Sequence, residues 1–167
     1  NSRYCSPIIR ELRDQQVRFA PRDKKVEQVE RAETLLGEID PERTYSYEYL
    51  CFRITEYRPA PSPGQTMTGE EAHHDLRLFV EDVSDAANIR AEDMPEPVHT
   101  VDDLSRMFKV STKTISRWRQ QGLISRRFIF DGRKRVGFLR SSVERFVAEN
   151  QERVKRGERF SQLSPQE

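Results

Sequence analysis

Two short amphipathic segments separated by a few residues constrain the C-terminal half of the chain most strongly. Apolar residues spaced three and four apart predict the first helix, namely Val101, Leu104 and Phe108. Ser111 is a typical N-cap for a second helix, and Gly122 is a typical residue at which such a helix stops. The spacing therefore predicts two helices joined by a tight turn.

The second of these helices has two chemically different sides. At about 100° of rotation per residue, Ile115 and Trp118 fall on one side, which we expect to be buried. The opposite side carries cationic, hydroxyl and amide groups, which can reach base edges and phosphates in a DNA groove. These residues are Lys113, Ser116, Arg117 and Gln120.

A β-hairpin is predicted directly after this helix pair. Asp131-Gly132 is a strong two-residue hairpin turn, and apolar residues alternate on both sides of it. The turn is followed by the cationic residues Arg133, Lys134 and Arg135. Ser141 and Glu144 have the spacing of a capping box, which predicts a closing helix.

The net charge of +1 conceals two halves of opposite sign. Residues 98–160 contain 16 Lys and Arg against 7 Asp and Glu, whereas residues 1–97 contain 13 against 20. A basic half behind an acidic half indicates a nucleic-acid surface on the former and a different role for the latter.

The acidic half has the pattern of four amphipathic helices. Ser6-Pro7 predicts the start of the first, and a capping box at Thr68 and Glu71 predicts the start of the fourth. The two between them follow from helical spacing of apolar residues, and the proline-rich run PAPSPGQ indicates a loop. We expect an acidic helical bundle over residues 1–90.

The remaining boundaries follow from prolines and capping signals. The acidic, proline-bearing run EDMPEP predicts an interdomain linker over residues 91–97, followed by a second domain over residues 98–157. The sequence Ser164-Pro165-Gln166-Glu167 has the pattern of a helix start. Residues 158–167 are therefore expected to begin a further, truncated segment.

The runs HTVDDLSRMFKVSTKTISRWRQQGLISRRF and GFLRSSVERFV resemble the winged helix-turn-helix of MerR- and excisionase-type DNA-binding domains. The resemblance implies a mainly α fold, in which an N-terminal helical bundle precedes a winged helix-turn-helix with a small β-hairpin wing. It also implies that the second helix enters the major groove. Lys109 departs from the pattern, since the family often has Gly or Asn there and a positive φ costs more for Lys.

Four runs across the whole chain are similar to the N-terminal part of bacterial RNA polymerase sigma-factor-like proteins: SRYCSPIIRELRDQQVRFAPRD, EYLCFRITEYRP, HHDLRLFVEDVS and STKTISRWRQQGLISRRFIFDGRKRVGFL. This similarity implies transcription initiation as the setting and RNA polymerase as a partner. Segments that melt the −10 element or bind the −35 element are not found in this sequence, so in such a protein they would follow Glu167.

Together these patterns predict a cytoplasmic protein that binds double-stranded DNA in transcription; its oligomeric state is left open. The predicted DNA-binding residues are Thr112, Lys113, Ser116, Arg117, Gln120, Arg126, Arg127, Arg133, Lys134 and Arg135. Two alternatives stay open. One is a protein-interaction module that docks on RNA polymerase or another regulator, and the other is the accessory DNA-binding domain of a recombinase or excisionase.

Catalysis, cofactors and metals find little support in the sequence. It contains no Gly-rich phosphate loop, no zinc-ligand spacing and no nucleophile–base pair, so no catalytic residue, cofactor or metal site is predicted. Glu70, Glu71, His73 and His74 form two E-x-x-H pairs, which we interpret as a solvated helical surface. Two distant cysteines favour free thiols, and no apolar run of about 18 residues is present to span a membrane.

Overall fold

The computed structural model describes residues 3–61 and 63–156, which are mainly helical and include two small antiparallel sheets. The mainly α fold class is thereby confirmed. The chain divides into two compact units between Asn88 and Ile89. Within the described part, no helix combines the length and apolarity needed to cross a lipid bilayer. The predicted further segment, residues 158–167, lies outside the described residues.

The first unit contains four helices and two short strands among its described residues. They are α1 (Pro7–Phe19), α2 (Arg22–Leu36), β1 (Thr44–Ser46), α3 (Tyr47–Thr55), β2 (Thr66–Thr68) and α4 (Gly69–Ala87). Helix α4 packs against α1 and α2, and α2 also packs against α3. The apolar stripes of these helices meet in a core whose most deeply buried members include Ile9, Val29, Leu50, Leu76 and Phe79.

Helix α4 begins as its sequence predicts. The Thr68 hydroxyl accepts a hydrogen bond from the Glu71 N–H at 3.1 Å, and the Glu71 carboxylate accepts one from the Thr68 N–H at 3.0 Å. This reciprocal capping box satisfies two backbone donors that the first helical turn leaves without partners.

Helix α1 begins at the predicted position, but its start is held by a group other than the Ser6 hydroxyl. Ser6 is the N-cap residue, but its side chain makes no capping hydrogen bond. Instead, the backbone N–H groups of Cys5 and Ser6 each donate to the Asp75 carboxylate at 2.8 Å. A buried acid on α4 therefore holds the start of α1, and this contact spans about 70 residues of sequence.

Strands β1 and β2 pair antiparallel and were not predicted. Thr44 lies opposite Thr68, and Ser46 lies opposite Thr66. Three-residue strands are too short to show the alternation by which strands are recognised in sequences. Each strand runs directly into a helix, and because the pairing is antiparallel, α3 and α4 begin at opposite ends of this short ladder.

The second unit surrounds a three-stranded sheet with helices. Its elements are β3 (Val98–Thr100), α5 (Val101–Phe108), α6 (Thr112–Gln120), β4 (Arg126–Phe130), β5 (Arg133–Leu139) and α7 (Arg140–Glu149). The strand order is β3-β5-β4, and both pairings are antiparallel. The core contains Leu104, Ile115, Trp118, Phe138 and Phe146.

The hairpin of β4 and β5 turns at the predicted dipeptide. Asp131 and Gly132 have φ values of 48° and 80°, the two positive values that a type I′ turn requires. Because Asp tolerates the left-handed region and Gly adopts it freely, this dipeptide sets the register in which Phe130 lies opposite Arg133.

Residues 91–97, predicted as an interdomain linker, belong to the second unit and are hydrogen-bonded within it. Ala91–Asp93 form a 3₁₀ turn, and the Ile129 N–H donates to the Ile89 carbonyl at 2.8 Å. The Arg140 N–H donates to the Pro97 carbonyl at 3.1 Å. The prolines of this stretch therefore shape a bonded turn of the second unit.

Helix α7 begins without the capping box that the sequence predicts. Its N-cap position is Leu139, which makes no side-chain cap. Ser141 donates to the Glu96 carboxylate from its N–H at 2.7 Å and from its hydroxyl at 3.0 Å, while Glu144 pairs with Arg140 at 3.2 Å. The capping partner is thus a distant carboxylate, which local spacing does not reveal.

Candidate nucleic-acid interface

Helix α5 is held at its start by a capping box. The Thr100 hydroxyl accepts from the Asp103 N–H at 3.0 Å, and the Asp103 carboxylate accepts from the Thr100 N–H at 2.9 Å. The hydrogen bond from the Thr100 N–H is the main reason that the pKa of Asp103 lies below its usual value. Its charged carboxylate therefore complements the positive end of the α5 dipole.

The turn between α5 and α6 depends on one left-handed residue. Lys109 has φ 56° and ψ 46°, and the Val110 N–H donates to the Ser105 carbonyl at 3.1 Å. The Ser105 hydroxyl donates back to the Val110 carbonyl, so the turn is closed in both directions. Ser111 then caps α6 as predicted, since its hydroxyl accepts from the Thr114 N–H at 3.1 Å.

Replacing Lys109 with glycine is expected to stabilise the second unit. A left-handed conformation costs an L-residue about 1–2 kcal/mol, and glycine avoids that cost but loses more backbone entropy on folding. We expect a net gain of about 0.5–1 kcal/mol in the free energy of unfolding, measured by urea denaturation. Gly122→Ala is the matched control: with φ 124° at Gly122, it should lower stability. A loss of stability in Lys109→Gly would contradict this account of the turn.

The buried side of α6 is the side that the spacing predicts. Ile115 is fully buried and Trp118 is 3% exposed. The Trp118 ring lies 5.6 Å from the Phe108 ring in an edge-on arrangement and 5.6 Å from the Phe146 ring in a tilted one. Aromatic contacts with α5 and α7 therefore fix the rotation of α6 about its axis.

The exposed side of α6 is polar and cationic along its length. The four residues predicted on it, Lys113, Ser116, Arg117 and Gln120, are all exposed, and so is Thr112 at the start of the helix. Lys113 and Arg117 form no ion pair with any residue in the described ranges, whereas Arg106 on α5 is paired with Asp103 at 2.7 Å. Two cationic side chains on this surface are thus available to an anionic partner.

The β4–β5 hairpin adds a second group of cations. Arg133, Lys134 and Arg135 follow the turn directly, and all three are exposed. At the far end of β5, Phe138 and Leu139 are buried. One end of the hairpin is therefore anchored in the core and the other carries charge into solvent.

Residues 100–151 match the family model of a helix-turn-helix domain. The match runs from the N-cap of α5 to just beyond α7 and covers just under a third of the chain. Comparison with curated proteins and with solved structures gave no match. The match supports a helix-turn-helix DNA-binding segment in the second unit.

Within the helix-turn-helix segment, two predicted DNA-binding residues lie away from the exposed side of α6. Arg126 is 4% exposed, so a contact between its guanidinium and DNA is inconsistent with its burial, and we remove it from the interface. Arg127 is half-buried on the same strand. Both belong to the run SRRF, whose cationic composition concealed that its first arginine faces inward.

Lys109 is a further exposed cation that the predicted set omits. It precedes α6 by three residues and is exposed at the turn of the helix-turn-helix segment. The sequence pattern marks it only as an unfavourable turn residue. Gly or Asn would fit this left-handed position at lower cost, so turn geometry alone does not account for a lysine there.

Proposed function

We propose that the helix-turn-helix segment binds double-stranded DNA, with α6 in the major groove, and that the protein acts in transcription. The observation that carries the proposal is the exposed side of α6. Lys113, Arg117 and Gln120 project there, while Trp118 anchors the opposite side in the core. The family match over the same residues supports this choice of ligand.

The dimensions and chemistry of α6 suit this groove. A nine-residue helix is about 14 Å long, and the major groove of B-DNA is about 12 Å wide and admits one helix. Arginine forms bidentate hydrogen bonds with guanine, and glutamine forms them with adenine. Arg117 and Gln120, one helical turn apart, are accordingly assigned to base edges, and Lys113 to a guanine or a phosphate.

The hairpin is proposed to act as the wing of a winged helix-turn-helix. Its cations Arg133, Lys134 and Arg135 are all exposed next to the turn. Such groups bind phosphates without reading sequence, and each phosphate contact releases counterions from DNA. The wing would therefore contribute affinity that falls with salt, and α6 would contribute base discrimination.

Replacing Arg133 with alanine should weaken binding to all duplexes alike. Each lost phosphate contact is expected to reduce the slope of log K against log salt by about 0.9. The measurement is a salt titration of the full chain by fluorescence anisotropy, with one duplex selected from a random pool and one unrelated duplex. Arg10→Ala is the control, because Arg10 is an exposed residue on α1 and its loss changes the net charge equally.

Two results of this titration would count against the proposal. An unchanged slope in Arg133→Ala would remove the hairpin from the interface. An equal loss in Arg10→Ala would show that net charge alone governs binding. The duplex selection gives a separate test: if the random pool yields no preferred duplex, base reading by α6 is contradicted.

The narrower setting is transcription initiation as part of a sigma-factor-like protein in the cytoplasm. It is supported by the resemblance of the four sequence runs described above. Such a protein would bind core RNA polymerase, so labelled full-length chain should change its anisotropy when purified core enzyme is added. Duplex binding without any binding to core enzyme would favour a regulator or an accessory DNA-binding domain of a recombinase.

A further inference from the structure

Three side chains of types that bind metals lie together in the first unit. They are Cys5, which precedes α1, and His74 and Asp75, which lie on α4. One ligand atom of each lies within 4.8 Å of the other two. Local spacing does not reveal this cluster, because Cys5 is about 70 residues from His74 in the sequence and only the fold brings them together.

The ring of His74 makes its polar contacts through one nitrogen. Nδ1 lies 3.4 Å from the Cys5 Sγ and 2.9 Å from the Asp75 Oδ1. Nε2 is buried and has no hydrogen-bond partner in the part of the chain that the structure describes. The nitrogen that faces a sulfur and a carboxylate oxygen is therefore Nδ1.

These distances are close to those across a tetrahedral zinc site. With Zn–S near 2.3 Å and Zn–N and Zn–O near 2.0–2.1 Å, ligand atoms are about 3.5 Å apart for sulfur and nitrogen and about 3.3 Å for nitrogen and oxygen. The Sγ–Nδ1 and Nδ1–Oδ1 separations need to change by only a few tenths of an ångström, and all three ligand atoms lie within 4.8 Å of one another. Thiolate, imidazole and carboxylate together are also a donor set that suits Zn²⁺ better than Mg²⁺ or Ca²⁺.

We propose that Cys5, His74 and Asp75 bind one Zn²⁺ ion through Sγ, Nδ1 and Oδ1. Cys5 is exposed, so the ion can enter from solvent and a water molecule can complete four-coordination. On binding, the Cys5 thiol gives up its proton to solvent, and the proton of the imidazole resides on Nε2.

The carboxylate in this cluster is held in place before any ion binds. Asp75 is fully buried and accepts the backbone N–H groups of Cys5 and Ser6 at 2.8 Å each. Because each carboxylate oxygen can accept more than one bond, Oδ1 retains a lone pair for a cation. The same two bonds also position Cys5 next to the ligand oxygen.

The electrostatic environment of the thiol favours a cation. Partial removal of the thiol from solvent, then the negative charges of Asp75 and Glu71, raise the pKa of Cys5 above its usual value. The same two carboxylates attract a divalent ion to this position. Glu71 itself is engaged in the α4 capping box, so it contributes charge and is not assigned as a ligand.

The test uses the full chain, reduced, stripped with a chelator and titrated with ZnCl₂ by calorimetry. We expect one equivalent bound per chain. His74→Ala should weaken binding by more than about 100-fold, since losing a direct ligand costs more than losing a group that merely orients one. His73→Ala is the matched control, because it removes the neighbouring imidazole, which is outside the cluster.

Cobalt identifies the sulfur ligand. Co²⁺ added in place of zinc should give a thiolate-to-cobalt charge-transfer absorption that Cys51→Ser retains and Cys5→Ser abolishes. Circular dichroism checks that each variant is folded, and the exposed position of Cys5 makes its variant the decisive one if His74→Ala does not fold. Binding below one equivalent, equal binding by the His73 and His74 variants, or a charge-transfer band in Cys5→Ser overturns the proposal.

Discussion

Arg117→Ala is expected to weaken binding to the preferred duplex by about 1–3 kcal/mol and to relax base choice at one position of the site. Arg117 is exposed on α6 and has no internal ion pair among the described residues, so its guanidinium keeps all of its donors for DNA. The loss combines a two-point hydrogen bond to a base with an electrostatic contribution. Anisotropy with the selected duplex and its single-base variants measures both effects.

A conservative variant separates base reading from charge. Arg117→Lys keeps the positive charge but cannot form the planar two-point bond. It should retain affinity for the unrelated duplex and lose discrimination at the position that Arg117 reads. If Arg117→Ala instead weakens every duplex by the same factor, Arg117 contacts a phosphate, and the base-reading role passes to Gln120 or Lys113.

Much of the second unit could be predicted because its signals are local. The N-caps Thr100 and Ser111, the turn Asp131-Gly132 and the two sides of α6 each depend on residues within one or two turns of one another. Backbone hydrogen bonds and helical periodicity act over this same range. Local sequence was therefore sufficient to locate α5, α6 and the hairpin.

The features that could not be predicted depend on distant partners. The Asp75 carboxylate accepts the N–H groups of Cys5 and Ser6 just before α1, and Glu96 takes the place of the expected capping box at α7. Arg126 is charged, as surface residues usually are, but it is buried because its position on β4 faces inward. In the first two cases a carboxylate distant in the sequence supplies the partner, and spacing along the chain does not encode that choice.

The candidate site divides in the same way. Its helical part was predictable since all of its residues lie on one nine-residue helix. The positive charge of the hairpin could be predicted from the cations at residues 133–135. The number of hairpin cations that are exposed could not be predicted. Their exposure is decided by the pairing of β4 with β5, which is a tertiary property.

Trp118→Ala is expected to lower the free energy of unfolding of the second unit by about 3–5 kcal/mol. The Trp118 side chain is 3% exposed and lies 5.6 Å from both the Phe108 and the Phe146 ring, so its removal leaves a large cavity in the core. Since a whole domain is stable by about 5–15 kcal/mol, this single change removes a large share of the total.

The measurement must avoid tryptophan fluorescence, because Trp118 is the only tryptophan in the chain. Urea unfolding followed by far-ultraviolet circular dichroism gives the free energy, and amide hydrogen exchange locates the loss. Amides of α5, α6 and α7 should lose protection. Those of α4, which lies in the other compact unit, should largely retain theirs.

Arg117→Ala is the control within the same helix. Arg117 is adjacent in sequence to Trp118 but exposed, so its replacement should change stability by no more than about 0.5 kcal/mol. Arg117→Ala should therefore lose duplex recognition while keeping the stability of the parent chain, whereas Trp118→Ala should lose stability. If the free energy of unfolding of Trp118→Ala lies within about 1 kcal/mol of that of the parent chain, the rotation of α6 is not fixed by this ring. The assignment of Lys113, Arg117 and Gln120 to the DNA side would then lose its structural basis, because it depends on Trp118 facing the core.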